Sequence, residues 1–250
     1  MIRQAIARSL KRVRGREREV APSIEPPVVG PDGLPLPPAE LHFLVSGNPQ
    51  LDAAAFWQIG HGCIGMVAAL MGEYGKRLDD LGAILDFGCG CGRLTRHLRS
   101  LEKAKVYGTD YNPRLVEWCR RNLPFAQFSV NQLAPPLGYA DSTFDLIYAF
   151  SVFTHLPEPL QRPWIVELTR VLKPGGLLLF TTHGAAVAQA YLPGPEKDAF
   201  AAGRLVVVAE ELAGKNECVV YHPVPYVTQT LAGGLEVLDV LAGVASDSDR

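Results

Sequence analysis

The stretch Ala83-Ile84-Leu85-Asp86-Phe87-Gly88-Cys89-Gly90-Cys91-Gly92-Arg93 decides how this chain is read. Its first five residues form a short apolar run of the kind a buried strand shows, and a glycine-rich turn follows at once. Glycines there permit tight backbone conformations and let a ligand approach the main chain closely. Leu94, Leu98 and Leu101 continue at helical spacing, so the turn is expected to open a helix whose first amides face an anionic group. The spacing is G-x-G-x-G. A dinucleotide fingerprint needs glycine where Arg93 stands, which makes a nicotinamide oxidoreductase a distant reading. No G-x-x-x-x-G-K-[ST] phosphate loop occurs.

Outward from this turn, strand and helix patterns alternate. Residues 105–109, 125–130, 144–150 and 177–182 read as further strands. A helix is expected over 113–122, opening on Pro113, and another through Leu160, Trp164, Leu168 and Val171, closed by Lys173-Pro174-Gly175-Gly176. This alternation predicts an α/β fold, a Rossmann-like doubly wound and mostly parallel sheet with helices on both faces. Upstream, Phe56, Ile59, Cys63, Met66 and Leu70 mark an apolar stripe on a helix over 51–72, weakened by Gly60, Gly62 and Gly65. Residues 205–209 and 217–221 read as a hairpin around Ala213-Gly214-Lys215-Asn216. The organisation is therefore a basic segment and flexible proline-rich linker (1–40), an N-terminal helical cap (41–82) and a core (83–250) with an inserted hairpin around 203–222.

Composition sets the outer bounds. Hydrophobic residues at 48% against 20% charged can fill a large core. Lys plus Arg (24) nearly balance Asp plus Glu (26), a net charge of −2 that argues against a nucleic-acid clamp. No apolar run approaches the length of a bilayer span, and the start lacks the apolar region of a secretory signal. Five cysteines without finger-like pairing predict reduced thiols in a cytoplasmic protein. Residues 1–18 hold seven basic side chains and one acid, with Ile2, Ile6, Leu10 and Val13 at helical spacing. They read either as an amphipathic helix resting on an anionic membrane or partner, or as a basic tail.

Asp110 directly follows the second strand, where its carboxylate can accept both hydroxyls of a ribose from the crevice shared by adjacent strand ends. A turn aspartate capping the next helix is the alternative; beside the glycine turn, the ribose reading is preferred.

At this point four segments resemble one family. ILDFGCGCGRLTRHL (84–98), VYGTDYNPRLVEWCRRN (106–122), FDLIYAFSVFTHL (144–156) and LKPGGLLLFTTHG (172–184) are similar, in order and spacing, to the motifs of class I S-adenosylmethionine-dependent methyltransferases. The resemblance covers 83–182 closely and implies S-adenosyl-L-methionine as cofactor. It places Asp86 and the backbone of Gly88, Cys89, Gly90 and Gly92 at the methionine end, Asp110 on the ribose and Tyr111 against the adenine. Asn131 and Gln132 stand where the family often carries an adenine-binding Asp, and Phe150 closes the fourth strand beside the same site. The family's seventh strand runs antiparallel between the fifth and sixth. Here 235–241 reads as the sixth strand, and the polar residues Ser246 to Arg250 do not suit a buried seventh. That final strand is expected to be missing, and the chain to be a shortened version of a longer one.

Methyl transfer needs alignment above all, and a base only where the acceptor must lose a proton. His155 is the best-placed candidate; a packing histidine in the His155-Leu156-Pro157 turn is the other reading. His183 and His61 are weaker candidates. Ala149-Phe150-Ser151-Val152 stands where the family's nitrogen methylators carry [Asp/Asn]-Pro-Pro-Tyr, which disfavours nucleic-acid N-methylation. Cys89 and Cys91 alone fall short of a metal site. In the inserted region Tyr191, Tyr221, His222 and Tyr226 are candidate substrate contacts, or the region is a structural flap. The function expected is methyl transfer to a small-molecule, sugar or lipid-linked acceptor, at oxygen. The alternative is a non-catalytic scaffold that binds the cofactor.

Overall fold

The computed structural model describes residues 28–242. The basic segment 1–18 lies outside the described residues. Five strands, β1 (Ala83–Phe87), β2 (Lys105–Asp110), β3 (Gln127–Val130), β4 (Phe144–Ala149) and β5 (Leu172–Phe180), form one sheet. All four pairings are parallel and the order is β3-β2-β1-β4-β5. The order reverses at β1, so a crevice opens beyond the carboxyl ends of β1, β2 and β4.

Strand β1 is buried along its whole length, as the centre of a two-sided sheet requires. Its residues alternate between two cores. Leu85 and Phe87 join Ile147, Ala149, Trp164 and Leu168 on the side of α4 (Glu158–Val171). Ile84 joins Val106, Leu146, Tyr148, Leu94 and Leu98 on the side of α2 (Ala53–Glu73). Helix α3 (Pro113–Asn122) begins where Pro113 predicts, and its cap is Asn112, whose side chain accepts from Arg114 N–H at 3.0 Å. The predicted closure of α4 survives as an irregularity: pairing jumps from Phe144 with Leu172 to Leu146 with Leu177, and Lys173 to Gly176 bulge out between.

Several expectations change. The leucines after Gly92 form only a short 3-10 turn, Thr95–Leu98, not an α-helix. Helix α2 is rotated from its predicted face. Phe56, Gly60, Ile64, Val67 and Met71 are buried, whereas Met66 is 42% exposed. That helix is also long and apolar enough by composition to cross a membrane, contrary to the sequence reading. The back half of the proline-rich stretch is docked. Leu34 and Leu36 are buried, and fully buried Arg96 grips Asp32 through two bonds of 2.8 and 2.9 Å while donating to the Leu34 carbonyl. A paired buried guanidinium of this kind fixes geometry, because neither partner can be left alone without a large penalty. Helix α1 (Ala39–Ser46) then leads into α2.

Beyond β5 lie α5 (Ala185–Tyr191), α6 (Gly194–Ala201) and the expected antiparallel hairpin, β6 (Val206–Val208) with β7 (Val219–Tyr221). Residues 235–241 are not a strand. They run irregularly, with Val237, Leu238, Val240 and Leu241 exposed. Among the described residues the sheet ends at β5, so the predicted sixth strand has no neighbour with which to complete a backbone ladder.

Candidate cofactor and active site

The glycine turn works through its backbone shape. Gly88, Gly90 and Gly92 all take positive φ, at 75, 55 and 76°, conformations that residues with a Cβ adopt at a cost. The loop's amides are turned inward, contrary to the expectation that they face a ligand. Gly88 N–H and Cys89 N–H both donate to the Thr109 carbonyl, at 2.8 and 3.0 Å, and Gly92 N–H donates to Cys89. These bonds lash the turn to β2. The Cys89 thiol packs inward with Val116, Cys119 and Phe128, leaving its main chain as the part nearest the crevice. Burial drives the Cys89 and Cys91 thiols far above their usual range, and all five cysteines are free.

Asp110, 8% exposed, is the polar centre of the crevice. One carboxylate oxygen accepts from Gly90 N–H at 2.9 Å and the other from Asn112 N–H at 2.8 Å. Burial raises its pKa and these two N–H bonds oppose that rise. Each oxygen keeps a second acceptor position. Two diol hydroxyls could therefore bind a carboxylate already fixed in direction, with half-exposed Tyr111 and Leu133 as apolar flanks. The residues fit a ribose carrying an adenine. Asn131 is less open than the sequence suggested: its Oδ1 accepts from Thr109 Oγ1 at 2.9 Å and its Nδ2 donates to the Gln132 carbonyl at 2.7 Å. Gln132 is exposed. Phe150 is partly buried, edge-on to Tyr148.

Asp86 lies beneath the turn, on the α2 face of β1. Thr95 Oγ1 donates to it at 2.5 Å, and the buried Tyr148 hydroxyl acts on it as well. Burial pushes its pKa up to about 7, with the Thr95 bond and the Tyr148 hydroxyl pulling against that rise. A carboxyl whose folded pKa exceeds its unfolded value of about 4 holds a proton that the unfolded chain has lost, so its contribution to stability falls as pH rises from about 4 to 7. Burial lowers His97 to about 4 and His222 to about 3, and these neutral histidines add stability over much the same window as pH rises. The two trends oppose each other, so the test is a difference. Asp86→Asn should melt progressively higher than the unaltered chain as pH is raised from about 5 to about 8. A constant separation of the two melting curves would contradict the raised carboxyl.

On the far side of the crevice, His155 follows β4. Its Nδ1 lies 2.7 Å from the Cys218 carbonyl. A carbonyl only accepts, so Nδ1 carries the proton and Nε2 keeps a lone pair. Burial lowers its pKa, which favours this neutral state. His183 approaches His155 edge to face, with ring centroids 6.3 Å apart, and Tyr221 lies 5.7 Å beyond. His222, bonded to Gln161, and Tyr226 are buried in packing positions instead, so neither is a surface for substrate. Tyr191 is 38% exposed. His61 stacks on Trp57 beside His97, with α2 rather than with β4.

Ser151 carries no signal in the sequence. It takes a left-handed φ of 55° at the end of β4, and its N–H donates to Thr181 Oγ1 at 2.8 Å. A non-glycine residue held there stores strain of the kind that gathers at working sites.

A glycine turn after β1, an acid ending β2 and a reversal of strand order between β1 and β4 define a Rossmann-like nucleoside site. Residues 84–176 match the methyltransferase domain family, and this part of the chain is similar to class I S-adenosylmethionine-dependent methyltransferases. The chain is 37% identical over 112 residues to a malonyl-[acyl-carrier protein] O-methyltransferase of Halalkalibacterium halodurans, covering 42% of this chain and 41% of that one. It is 33% identical over 105 residues to a trans-aconitate 2-methyltransferase of Rhodopseudomonas palustris, covering 40% and 38%. A 2-methyl-6-phytyl-1,4-hydroquinone methyltransferase of Synechocystis is 32% identical over 99 residues, covering 38% and 30%. The chain thus spans less than half the length of these relatives.

Proposed function

We propose that this protein transfers a methyl group from S-adenosylmethionine to an oxygen of a small-molecule, sugar or lipid-linked acceptor. The observation that carries the reading is Asp110, buried at a strand end and fixed by Gly90 and Asn112. S-adenosylmethionine supplies a methyl group on a positively charged sulfur, ready for in-line displacement. The chain's own residues bind and orient. Asp110 takes the ribose hydroxyls, Tyr111 and Leu133 flank the adenine, and the bare glycine backbone admits the methionine end while Asp86 and Thr95 stiffen the turn from below. The acceptor enters beyond β4 and β5. There His155 takes the hydroxyl proton at Nε2, its ring oriented by the Cys218 carbonyl. The named acceptors of the relatives are a carrier-bound malonyl group, trans-aconitate and a hydroquinone, which supports a small or carrier-linked acceptor. The reading places the reaction in the cytoplasm.

Titration with S-adenosylhomocysteine tests the cofactor, and labelled-methyl incorporation from a metabolite extract tests turnover. A folded chain that binds nothing would refute the reading. His155→Asn keeps a donor for Cys218 but cannot accept a proton. It should lower kcat by roughly 10²–10⁴-fold, the usual range for a lost base, with S-adenosylhomocysteine affinity preserved. An unchanged kcat would return His155 to packing.

A further inference from the structure

The residues joining β6 to β7, 209–218, touch three walls of the crevice at once. On the acceptor side, Gly214 N–H donates to the His155 carbonyl at 2.8 Å, and the Cys218 carbonyl accepts from the His155 ring at 2.7 Å. On the nucleoside side, Gly214 lies against the two adenine flanks. A Cβ built on it would stand 2.8 Å from Leu133 Cδ1 and 3.3 Å from Tyr111 Cζ. On the glycine-turn side, Asn216 Nδ2 donates to the Leu44 carbonyl of α1 at 3.1 Å. The next residue of that helix, Val45, sits on the turn itself: a Cβ on Gly90 would come within 2.7 Å of its Cγ2.

The segment is a strap that bends at its start and again past its middle. Ala209 takes φ 55° without being glycine, and Gly214 takes φ 80°. Between them Glu210 and Glu211 are exposed, as are Lys215 and Glu217 further on, while Cys218 is fully buried and anchors the return to β7. The span from 209 to 217 therefore buries little of its own. A few hydrogen bonds hold it across the opening, and low local burial is what marks segments able to open without global unfolding.

We propose that residues 209–218 form a roof over the cofactor crevice, latched by Asn216 to Leu44, and that its closure also orients His155. This rests on the reading of the crevice as the S-adenosylmethionine site. A ligand bound on Asp110 between Tyr111 and Leu133 lies under Gly214, so entry and exit require the strap to lift. Lifting it breaks the bond from Gly214 N–H to the His155 carbonyl in the same movement. Asn216 is thus a positioning residue: the main chain at His155 is held by Gly214 when the crevice is closed and released when it opens.

The test uses the intact chain, Asn216→Ala and the isosteric Asn216→Asp, which loses the donor and sets a carboxylate against the Leu44 carbonyl. Stopped-flow association and dissociation of S-adenosylhomocysteine should both accelerate in each variant, by about 3- to 10-fold for one surface hydrogen bond. Hydrogen exchange without any ligand should show the Gly214 amide opening faster in the variants, with the β4 amides unchanged. Binding by the unaltered chain with rates equal in all three proteins overturns the roof alone. An unaltered chain that binds no S-adenosylhomocysteine overturns the cofactor reading and the roof with it.

Discussion

Asp110→Ala is expected to weaken S-adenosylhomocysteine binding by at least about 100-fold, the equivalent of roughly 3 kcal/mol for two hydrogen bonds to a charged acceptor. The loss has two parts. The ribose hydroxyls would lose their acceptors, and the Gly90 and Asn112 amides would lose theirs, since both donate to this one carboxylate. Asp110→Asn separates the parts. It keeps one oxygen for an amide but turns an NH2 group toward the other N–H donor, so it too should bind poorly while disturbing packing less. Isothermal titration beside a thermal melt reads both effects. A folded Asp110→Ala protein that bound S-adenosylhomocysteine as tightly as the unaltered chain would remove the ribose from Asp110, and with it the orientation assigned to the cofactor.

What was legible in the sequence follows from what each pattern measures. A run apolar but for Asp86 and followed by glycines reports two-sided burial and a turn, and β1 with its loop stands where Ala83 to Gly92 put it. Pro113 fixes a helix start because its ring presets φ, and α3 begins there. Periodicity could not show which partner a helix meets. The stripe through Met66 is apolar enough, yet the packed face runs through Gly60, because at that point α2 meets the backbone of the loop at Arg93 and only further along meets side chains such as Ile84 and Leu98. Residues 235–241 alternate well enough for a strand, but a strand also needs a ladder partner, and that is a property of the sheet. At the site, Asp110 was legible from its place after a strand. The Cys218 carbonyl on His155 and the Asn216 bond to Leu44 were not, since they join residues far apart in sequence through main-chain atoms common to every residue.

The glycines of α2 offer the second large effect, because three that look alike in sequence differ in what surrounds them. At Gly60 a Cβ would lie 2.0 Å from the Arg93 carbonyl oxygen and 2.9 Å from its carbon. These are backbone atoms and cannot rotate aside, so α2 itself would have to withdraw. At Gly62 and Gly65 nothing lies within 4 Å. Gly65→Ala should therefore stabilise the chain by up to ~1 kcal/mol through helix propensity alone. Gly60→Ala gains the same propensity but meets overpacking, which costs about 1–3 kcal/mol even where side chains can yield, and here they cannot. Its melting temperature should fall by several degrees while that of Gly65→Ala rises. The consequence reaches the site, because Arg93 directly follows Gly92: a displaced α2 should loosen the turn and weaken S-adenosylhomocysteine binding in Gly60→Ala only. If the two substitutions moved stability alike, the close approach of α2 to the glycine turn could not be what seats that helix.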